Sequence, residues 1–311
     1  MKNNPSPRIS VIIATYNSSH TLVYTLKSLL NQTFQDFEAW IIGDACTDDS
    51  EQVVLEFHDD RLHWYNRTEN SGSQPAPNNE GMKRAQGEYI AFLGHDDLWL
   101  PQHLEELLTH AETNRLIFTH SITILLSPDG IEQVRGKCHQ GTSLENFVAP
   151  PSSWFMKREI MDQVGLWEEN YHLLDTTPDQ DYFGRIARKL GTISPLEKLT
   201  VVKFQSTVWN SYKNQVNLAS ALKKYWTEIE NNPDQLLLDL LNSIAYEFSQ
   251  FTLRTNILSP RSSLGMIKRH YLKIIHSIGD RIPGIRKYRK KRSIKKFQLT
   301  RQKVLIMRGL K

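Results

Sequence analysis

The chain has 311 residues, 39% hydrophobic and 23% charged, with a formal net charge of +4; this is enough apolar material for one large or two small packed cores and excludes wholesale disorder. Two cysteines, Cys46 and Cys138, are too few for a disulfide framework or a four-ligand zinc site and form no C-x-x-C pair, which argues against redox and zinc chemistry. Apolar runs such as Val11 to Ala14 and Leu236 to Leu238 fall far short of the roughly 18 residues that cross a bilayer, and residues 1 to 10 lack the apolar stretch of a secretory signal, so a cytoplasmic location is expected.

Ile9 to Ala14 (ISVIIA) is β-branched and apolar on both faces, as a strand covered on both sides should be. Ser18 or Ser19 can cap a helix whose Leu22, Val23, Leu26, Leu29 and Leu30 recur at three- and four-residue spacings, giving one buried stripe. Phe37 to Ile42 reads as a second strand. The cap-rich segment Thr47-Asp48-Asp49-Ser50 precedes Val53, Val54 and Phe57 and predicts a second helix. Leu62 to Tyr65 reads as a third strand, Pro77 to Ala85 as a short helix stopped at Gly87, and Tyr89 to Leu93 as a fourth strand running into Gly94-His95-Asp96-Asp97. Pro101 opens a further helix with Leu104, Leu107 and Leu108 inward, since proline is tolerated in the first helical turn. This alternation is the pattern of βαβ units around a mostly parallel sheet.

From Ile117 to about Gln205 the pattern turns mixed. Phe118 to Leu126, Ile131 to Val134, Ser153 to Met156 and Leu199 to Phe204 read as strands, with a turn at Pro128-Asp129-Gly130. Helices are predicted over Arg158 to Val164, closed by Gly165, and from about Gln180 to Leu190, closed by Gly191. Beyond Trp209 the pattern is helical, through Leu218, Leu222, Tyr225 and Trp226 and then Leu236 to Phe248. Two parts follow: an α/β domain over 1–208 and a helical extension over 209–311. After position 260, 17 basic residues face one acid, Asp280, so the body is acidic beneath the small overall charge. The run Arg286 to Arg292, flanked by apolar residues such as Tyr271, Ile274 and Val304, suits an anionic membrane surface, where each cation near lipid contributes about 1 kcal/mol. Nucleic acid attracts the same residues and is the rival partner; a solvated helical face is the plain alternative.

In an open α/β sheet, ligands bind beyond the carboxyl ends of the strands. Acids stand at three such places: Asp44 after the second strand, Asp96-Asp97 after the fourth, and Asp179 with Asp181 at the start of the later helix. Adjacent carboxylates in one cleft repel unless a cation lies between them, and hard oxygen ligands suit Mg²⁺ or Mn²⁺, which also bind phosphates. The turn after strand one, Thr15-Tyr16-Asn17-Ser18-Ser19, carries no glycine phosphate loop, which removes support for dinucleotide oxidoreduction and P-loop hydrolysis. Each acid also has a structural reading: Asp44 as a cap, Asp96-Asp97 as a polar loop, Asp179 as a complement to a helix dipole, and Asp181 as the partner of Arg185. Trp99, Trp154 and Trp167 suit sugar faces but equally a core; Trp154 is the one to test as a sugar platform.

The segments VIIATYN (Val11 to Asn17), WIIGDACTDDS (Trp40 to Ser50), GEYIAFLGHDDLWLP (Gly87 to Pro101) and PDQDYFGR (Pro178 to Arg185), in this order, resemble family 2 glycosyltransferases of the GT-A fold, over roughly residues 7 to 205. The resemblance implies a Rossmann-like mixed sheet flanked by helices and inverting sugar transfer from a nucleotide-diphosphate donor, a UDP-sugar being favoured, to a glycan or lipid-linked acceptor. It implies that Thr15, Tyr16 and Asn17 line the nucleotide pocket, with Tyr16 stacked on the base and Asp44 accepting from the base's ring N–H. Asp97 is implied as the direct ligand of Mg²⁺ or Mn²⁺, Asp96 as reaching ribose or metal, and Asp179 as the catalytic base, with Asp181 as the alternative. Gly43 and Gly94 stand where many relatives carry the first Asp of each acidic motif, and Asn78-Asn79 where an Arg-Asn pair is frequent; Lys83 or Arg84 could replace that arginine.

Overall fold

A computed structural model describes residues 6–128, 130–136, 149–191, 193–204 and 215–257, with side chains in the last stretch from 218 to 245. Cys138 and the basic run after position 260 lie outside these residues. The chain divides into two units, one of residues 1–172 with 177–238 and one of residues 173–176 with 239–311.

The first unit is built on a six-stranded sheet of order β3-β2-β1-β4-β9-β6. Its strands are β1 (Ile9–Thr15), β2 (Phe37–Gly43), β3 (Leu62–Asn66), β4 (Tyr89–Phe92), β6 (Phe118–His120) and β9 (Trp154–Lys157). β3, β2, β1 and β4 run parallel; β9 is antiparallel to both β4 and β6. The uninterrupted apolar runs of β1 and β2 follow from coverage on both faces. On one face, Val11, Ile13 and Ile41 pack with Leu22, Leu26 and Leu29 of α1 (Ser19–Leu30), Val54 of α2 (Ser50–Leu55) and Leu104 and Leu107 of α4 (His103–Thr113). On the other, Ile12, Ile90 and Phe92 pack with Met82 of α3 (Pro75–Arg84) and with Tyr182, Phe183 and Ile186 of α6 (Pro178–Leu190). Each such aliphatic or aromatic side chain, fully withdrawn from water, contributes roughly 1.5–3 kcal/mol.

A second sheet, of order β5-β10-β7-β8, joins β5 (Asp97–Trp99), β7 (Ile122–Ser127), β8 (Gly130–Arg135) and β10 (Leu199–Phe204). The predicted strand Phe118 to Leu126 is thus two strands in two sheets, broken at Ser121, whose N–H donates to the Ser153 carbonyl at 3.1 Å. β5 carries only three residues, too few for an alternation to register in the sequence. α3 begins two residues before the predicted Pro77, and α2 ends before Phe57. α5 (Ile160–Val164) is closed by Gly165 at φ +74, a left-handed position that glycine adopts without steric cost.

The helix α7 (Gln215–Asn231), read from the sequence as part of the extension, packs on α1 and β5 and belongs to the first unit. It buries Leu218, Leu222, Trp226 and Ile229. The following α8 (Pro233–Ile257) runs from the first unit into the second. No helix among the described residues is long and apolar enough to cross a membrane.

Candidate functional site

The strand order reverses at β1: β2 and β3 lie to one side of it, β4 to the other. The carboxyl ends of β1, β2 and β4 therefore open onto one crevice, the place where parallel sheets bind ligands. Thr15, Asp44 and the segment from Gly94 to Asp97 all stand there, tied by backbone: the Asp44 N–H donates to the Thr15 carbonyl at 2.8 Å and the Leu93 N–H to the Ile12 carbonyl at 3.0 Å. His95 adds a contact from its Nδ1 to the Ala14 carbonyl at 3.0 Å.

Two loops at the crevice are clasped by side chains. Asn17, at φ +46, accepts from the Thr47 N–H at 2.8 Å and from the Asp48 N–H at 3.3 Å. Asp48 in turn accepts from the Ser19 N–H at 2.9 Å and the Ser50 N–H at 3.1 Å, so one carboxylate caps α1 and steadies α2. Neither helix has a side-chain cap from the residue preceding it. Asn66 completes the clasp, accepting from the Cys46 N–H at 2.8 Å and donating to its carbonyl at 2.9 Å. Burial raises the Cys46 thiol pKa above its ordinary value, so the thiol stays protonated and unreactive. Asn17, expected against the nucleotide, thus spends its side chain on this clasp. Thr15 is buried, and its Oγ1 has no hydrogen-bond partner among the described residues; Tyr16 is half-buried.

The carboxylate of Asp44 is 4% exposed and well supplied with donors. Arg67, just after β3, pairs with Oδ1, while the Ser71 N–H at 3.0 Å and its hydroxyl at 2.9 Å donate to Oδ2. An ionised carboxylate offers about four acceptor positions, so one on Oδ1 remains for a further donor.

Asp97 and Asp96 differ in burial and in partners. Asp97, expected as the direct metal ligand, has no exposure at all. Its carboxylate accepts from Lys203 Nζ at 2.7 Å, from the Phe204 N–H at 3.3 Å and from the Ser152 hydroxyl. Gly94 explains the inward turn: a Cβ there would stand 2.6 Å from Asp97 Oδ2 and 3.3 Å from Ser152 Oγ. The space a side chain at 94 would fill is taken by the Asp97 carboxylate itself. Gly43 is fixed likewise, because a Cβ would meet Asn66 Oδ1 at 2.6 Å and the Trp64 ring at 2.8 Å. Asp96, by contrast, is half-buried and makes no side-chain hydrogen bond within the described residues.

Asp179 and Asp181 also part company. Asp181 is paired with Arg185 Nε at 3.0 Å, four residues on, and Arg185 Nη1 donates to the Val164 carbonyl at 2.6 Å; it is tied to the fold. Asp179, half-buried in the first turn of α6, makes no side-chain hydrogen bond within the described residues. Its field reaches the same lysine as the other acids: burial pulls the Lys203 pKa down, but Asp97 foremost, then Asp96 and Asp179, raise it above its ordinary value. The net shift keeps Lys203 an ammonium. Of the three acids, Asp97 alone is in contact with the lysine, with Nζ 2.7 Å from its carboxylate; Asp96 and Asp179 act on it through their charge.

Lys203, Arg67, Ser71 and Ser152 were not singled out from the sequence. Lys203 had a signal, being the one charge in the apolar strand LTVVKF; such a residue needs a buried partner. Arg84, entertained as a phosphate ligand, pairs with Glu80 and lies 3.8 Å over the Tyr65 ring, while Lys83 is exposed. Asn79 clamps the Trp167 backbone, accepting from its N–H and donating to its carbonyl, both at 2.9 Å. Trp154 is wholly buried and stacks on Trp167 at 5.5 Å, with Phe92 and Phe118 edge-on. The sugar-platform expectation for Trp154 is overturned: it is core.

No group of three or more His, Cys, Asp or Glu side chains able to hold a metal forms among the described residues. Asp96, at the crevice, keeps a carboxylate without a hydrogen bond among the described residues, which fits a hard cation of the Mg²⁺ type, held by one or two carboxylates together with substrate phosphates and water.

Comparison with known proteins agrees with this geometry. The family described as Glycosyl transferase family 2 matches residues 10–165. The putative colanic acid biosynthesis glycosyl transferase WcaA of Escherichia coli K12 is 31% identical over 214 residues, 65% of this chain and 73% of that protein. WfaP of Escherichia coli, a UDP-Glc:alpha-D-GlcNAc-diphosphoundecaprenol beta-1,3-glucosyltransferase, is 34% identical over 113 residues, 36% of this chain and 45% of that protein. Among solved structures, Staphylococcus aureus TarS 1-349 in complex with UDP-GlcNAc superposes with a TM-score of 0.55 at 21% identity, covering 83% of this chain and 76% of that one; at that identity the likeness concerns the fold, and it matches the mixed, helix-flanked GT-A sheet expected from the sequence. The chain spans between about a quarter and just over half the length of several curated relatives that it matches. With half of its length matched by the family and three quarters of WcaA covered, the chain belongs to glycosyltransferase family 2.

Proposed function

We propose that the crevice binds a nucleoside-diphosphate sugar, a UDP-sugar by preference, and transfers the sugar with inversion to an acceptor hydroxyl in surface-polysaccharide or lipid-linked glycan synthesis. The observation that carries this reading is that Asp96, next to the Asp97–Lys203 pair at the end of β4, and Asp179, in the first turn of α6, are both half-buried and without a hydrogen-bond partner within the described residues. Structural acids in this chain, such as Asp48, Asp97 and Asp181, have partners; these two do not.

In this reading Asp44 accepts from the ring N–H of the base through its remaining acceptor position, beside Thr15 and Tyr16. That favours uracil-like or guanine-like bases over adenine. Asp96 is the residue that would hold Mg²⁺ or Mn²⁺, in place of Asp97. Such an ion, when bound, supplies positive charge to the departing diphosphate. Asp179 takes the proton of the acceptor hydroxyl as that oxygen bonds to the anomeric carbon, and the sugar–phosphate bond breaks with its electron pair left on the diphosphate. One displacement inverts the centre. The UDP complex of TarS and the UDP-Glc donor and diphosphoundecaprenol-linked acceptor of WfaP support a UDP-sugar and a membrane-borne acceptor. The basic residues after position 260 suit the anionic surface on which such an acceptor resides, and duplex DNA is the control against vesicles in a binding assay.

The test is a thermal-shift panel of UDP, GDP and dTDP, each with and without Mn²⁺. Stabilisation by UDP, enhanced by Mn²⁺, is the expected outcome; equal responses to all three, or none, would contradict the assignment.

A further inference from the structure

Lys203 is left without a task in that reading beyond its pairing with Asp97. Its neighbours in β10, Val202 and Phe204, are wholly buried, and antiparallel register sets it opposite Asp97 in β5. The partners differ in one respect: the Asp97 side chain has no exposure, whereas that of Lys203 is 24% exposed. An ammonium carries three donors. Asp97 takes one, and the other two meet no acceptor among the described residues. A purely structural pair would be closed on both sides. This one is closed at the carboxylate and open at the ammonium, which sits on the Asp97 carboxylate against Gly94, at the end of the segment that follows β4.

Resting on the reading of the crevice as a nucleoside-diphosphate sugar site, we propose that Lys203 is a built-in cation of the diphosphate subsite. With one N–H fixed on Asp97, its two open donors take a phosphate oxygen of the donor, and they meet the charge that gathers there as the sugar–phosphate bond breaks. Two strands hold the ammonium in place before the donor arrives, so little reorganisation is needed at the moment of reaction. It also offsets the repulsion between the diphosphate and the three acids around it, in a site where Gly94 contributes no carboxylate and the arginine frequent in relatives is an asparagine.

The test is calorimetric titration of the full chain with UDP and with uridine, in EDTA and in Mn²⁺. The variants are Lys203→Met, Lys203→Arg and the double substitution Asp97→Asn with Lys203→Met, which removes both charges of the pair and leaves no buried charge unpaired. The expected result is a loss of at least tenfold in metal-free UDP affinity in the double variant, uridine affinity unchanged, and recovery of most UDP affinity with Lys203→Arg. A folded double variant that binds UDP within twofold of the parent would overturn the proposal while leaving the crevice reading intact. A parent chain that binds UDP in neither buffer would overturn the crevice reading and this inference with it.

Discussion

Two adjacent aspartates are assigned opposite duties, and substitution separates them. Asp97→Ala would leave the Lys203 ammonium, the Phe204 N–H and the Ser152 hydroxyl without their acceptor in the interior. Breaking a buried ion pair from one side costs about 3–5 kcal/mol; because Lys203 is 24% exposed and can turn partly toward water, the low end, about 3 kcal/mol, is expected. For a unit of this size that lowers the melting temperature by roughly 6–12 °C. Asp96→Ala removes a half-buried carboxylate with no hydrogen bond and should stay within about 0.5 kcal/mol of the parent, while losing the Mn²⁺-dependent part of UDP binding. Urea denaturation with a constant m-value reads the stability arm, and titration with UDP and Mn²⁺ reads the other. Equal stability losses for the two alanine variants would refute the assignment of Asp97 to the interior.

Further outcomes follow from the same contacts. Gly94→Ala places a Cβ 2.6 Å from Asp97 Oδ2 and should cost about 1–3 kcal/mol as overpacking, measurable by the same denaturation and absent when Gly94→Ala is added to Asp97→Ala, which removes the clashing carboxylate. Trp154→Ala should lower stability by about 3–5 kcal/mol because the ring is core; a normal melting temperature with a raised acceptor KM would restore the sugar-platform idea. Burial lowers the His120 pKa to about 4 and holds His103 well below its ordinary value. Both rings are neutral in the fold, so the unfolded chain binds protons that the folded chain does not. Stability is complete above pH 6.5 and falls as the pH drops toward 4, by about 3 kcal/mol from His120. A stability curve flat between pH 7 and 4.5 would contradict this.

The parallel half of the fold was legible because its strands are covered on both sides. Runs such as ISVIIA and FEAWII have no other way to bury so much apolar surface, and their order along the chain fixes a crevice at their ends. The second sheet was less legible: its pairing partners lie far apart in sequence, Asp97 with Lys203 and Leu199 with Ile122, and no local pattern records such contacts. The positions of Asp44, Asp96 and Asp97 at strand ends and of Asp179 at a helix start could be read from the sequence, but their burial and partners could not. Whether Asp96 or Asp97 faces inward depends on the empty space at Gly94 and on a lysine more than a hundred residues away. Asp181 is the exception, since its partner Arg185 stands at helical spacing and was visible in the sequence. Asn17 sits in a turn whose left-handed backbone and clasp to the next loop are tertiary facts.

The central claim, that Asp179 is the base of a transfer carried out in a crevice that separately holds the nucleotide, is tested most directly by Asp179→Asn. The measurement pairs UDP affinity by calorimetry with release of UDP from a UDP-sugar in the presence of a diphosphoundecaprenol-linked GlcNAc acceptor. The account predicts UDP affinity within about twofold of the parent and turnover reduced by about 10²–10⁴-fold. Turnover equal to the parent, or UDP affinity and turnover falling together, would contradict it.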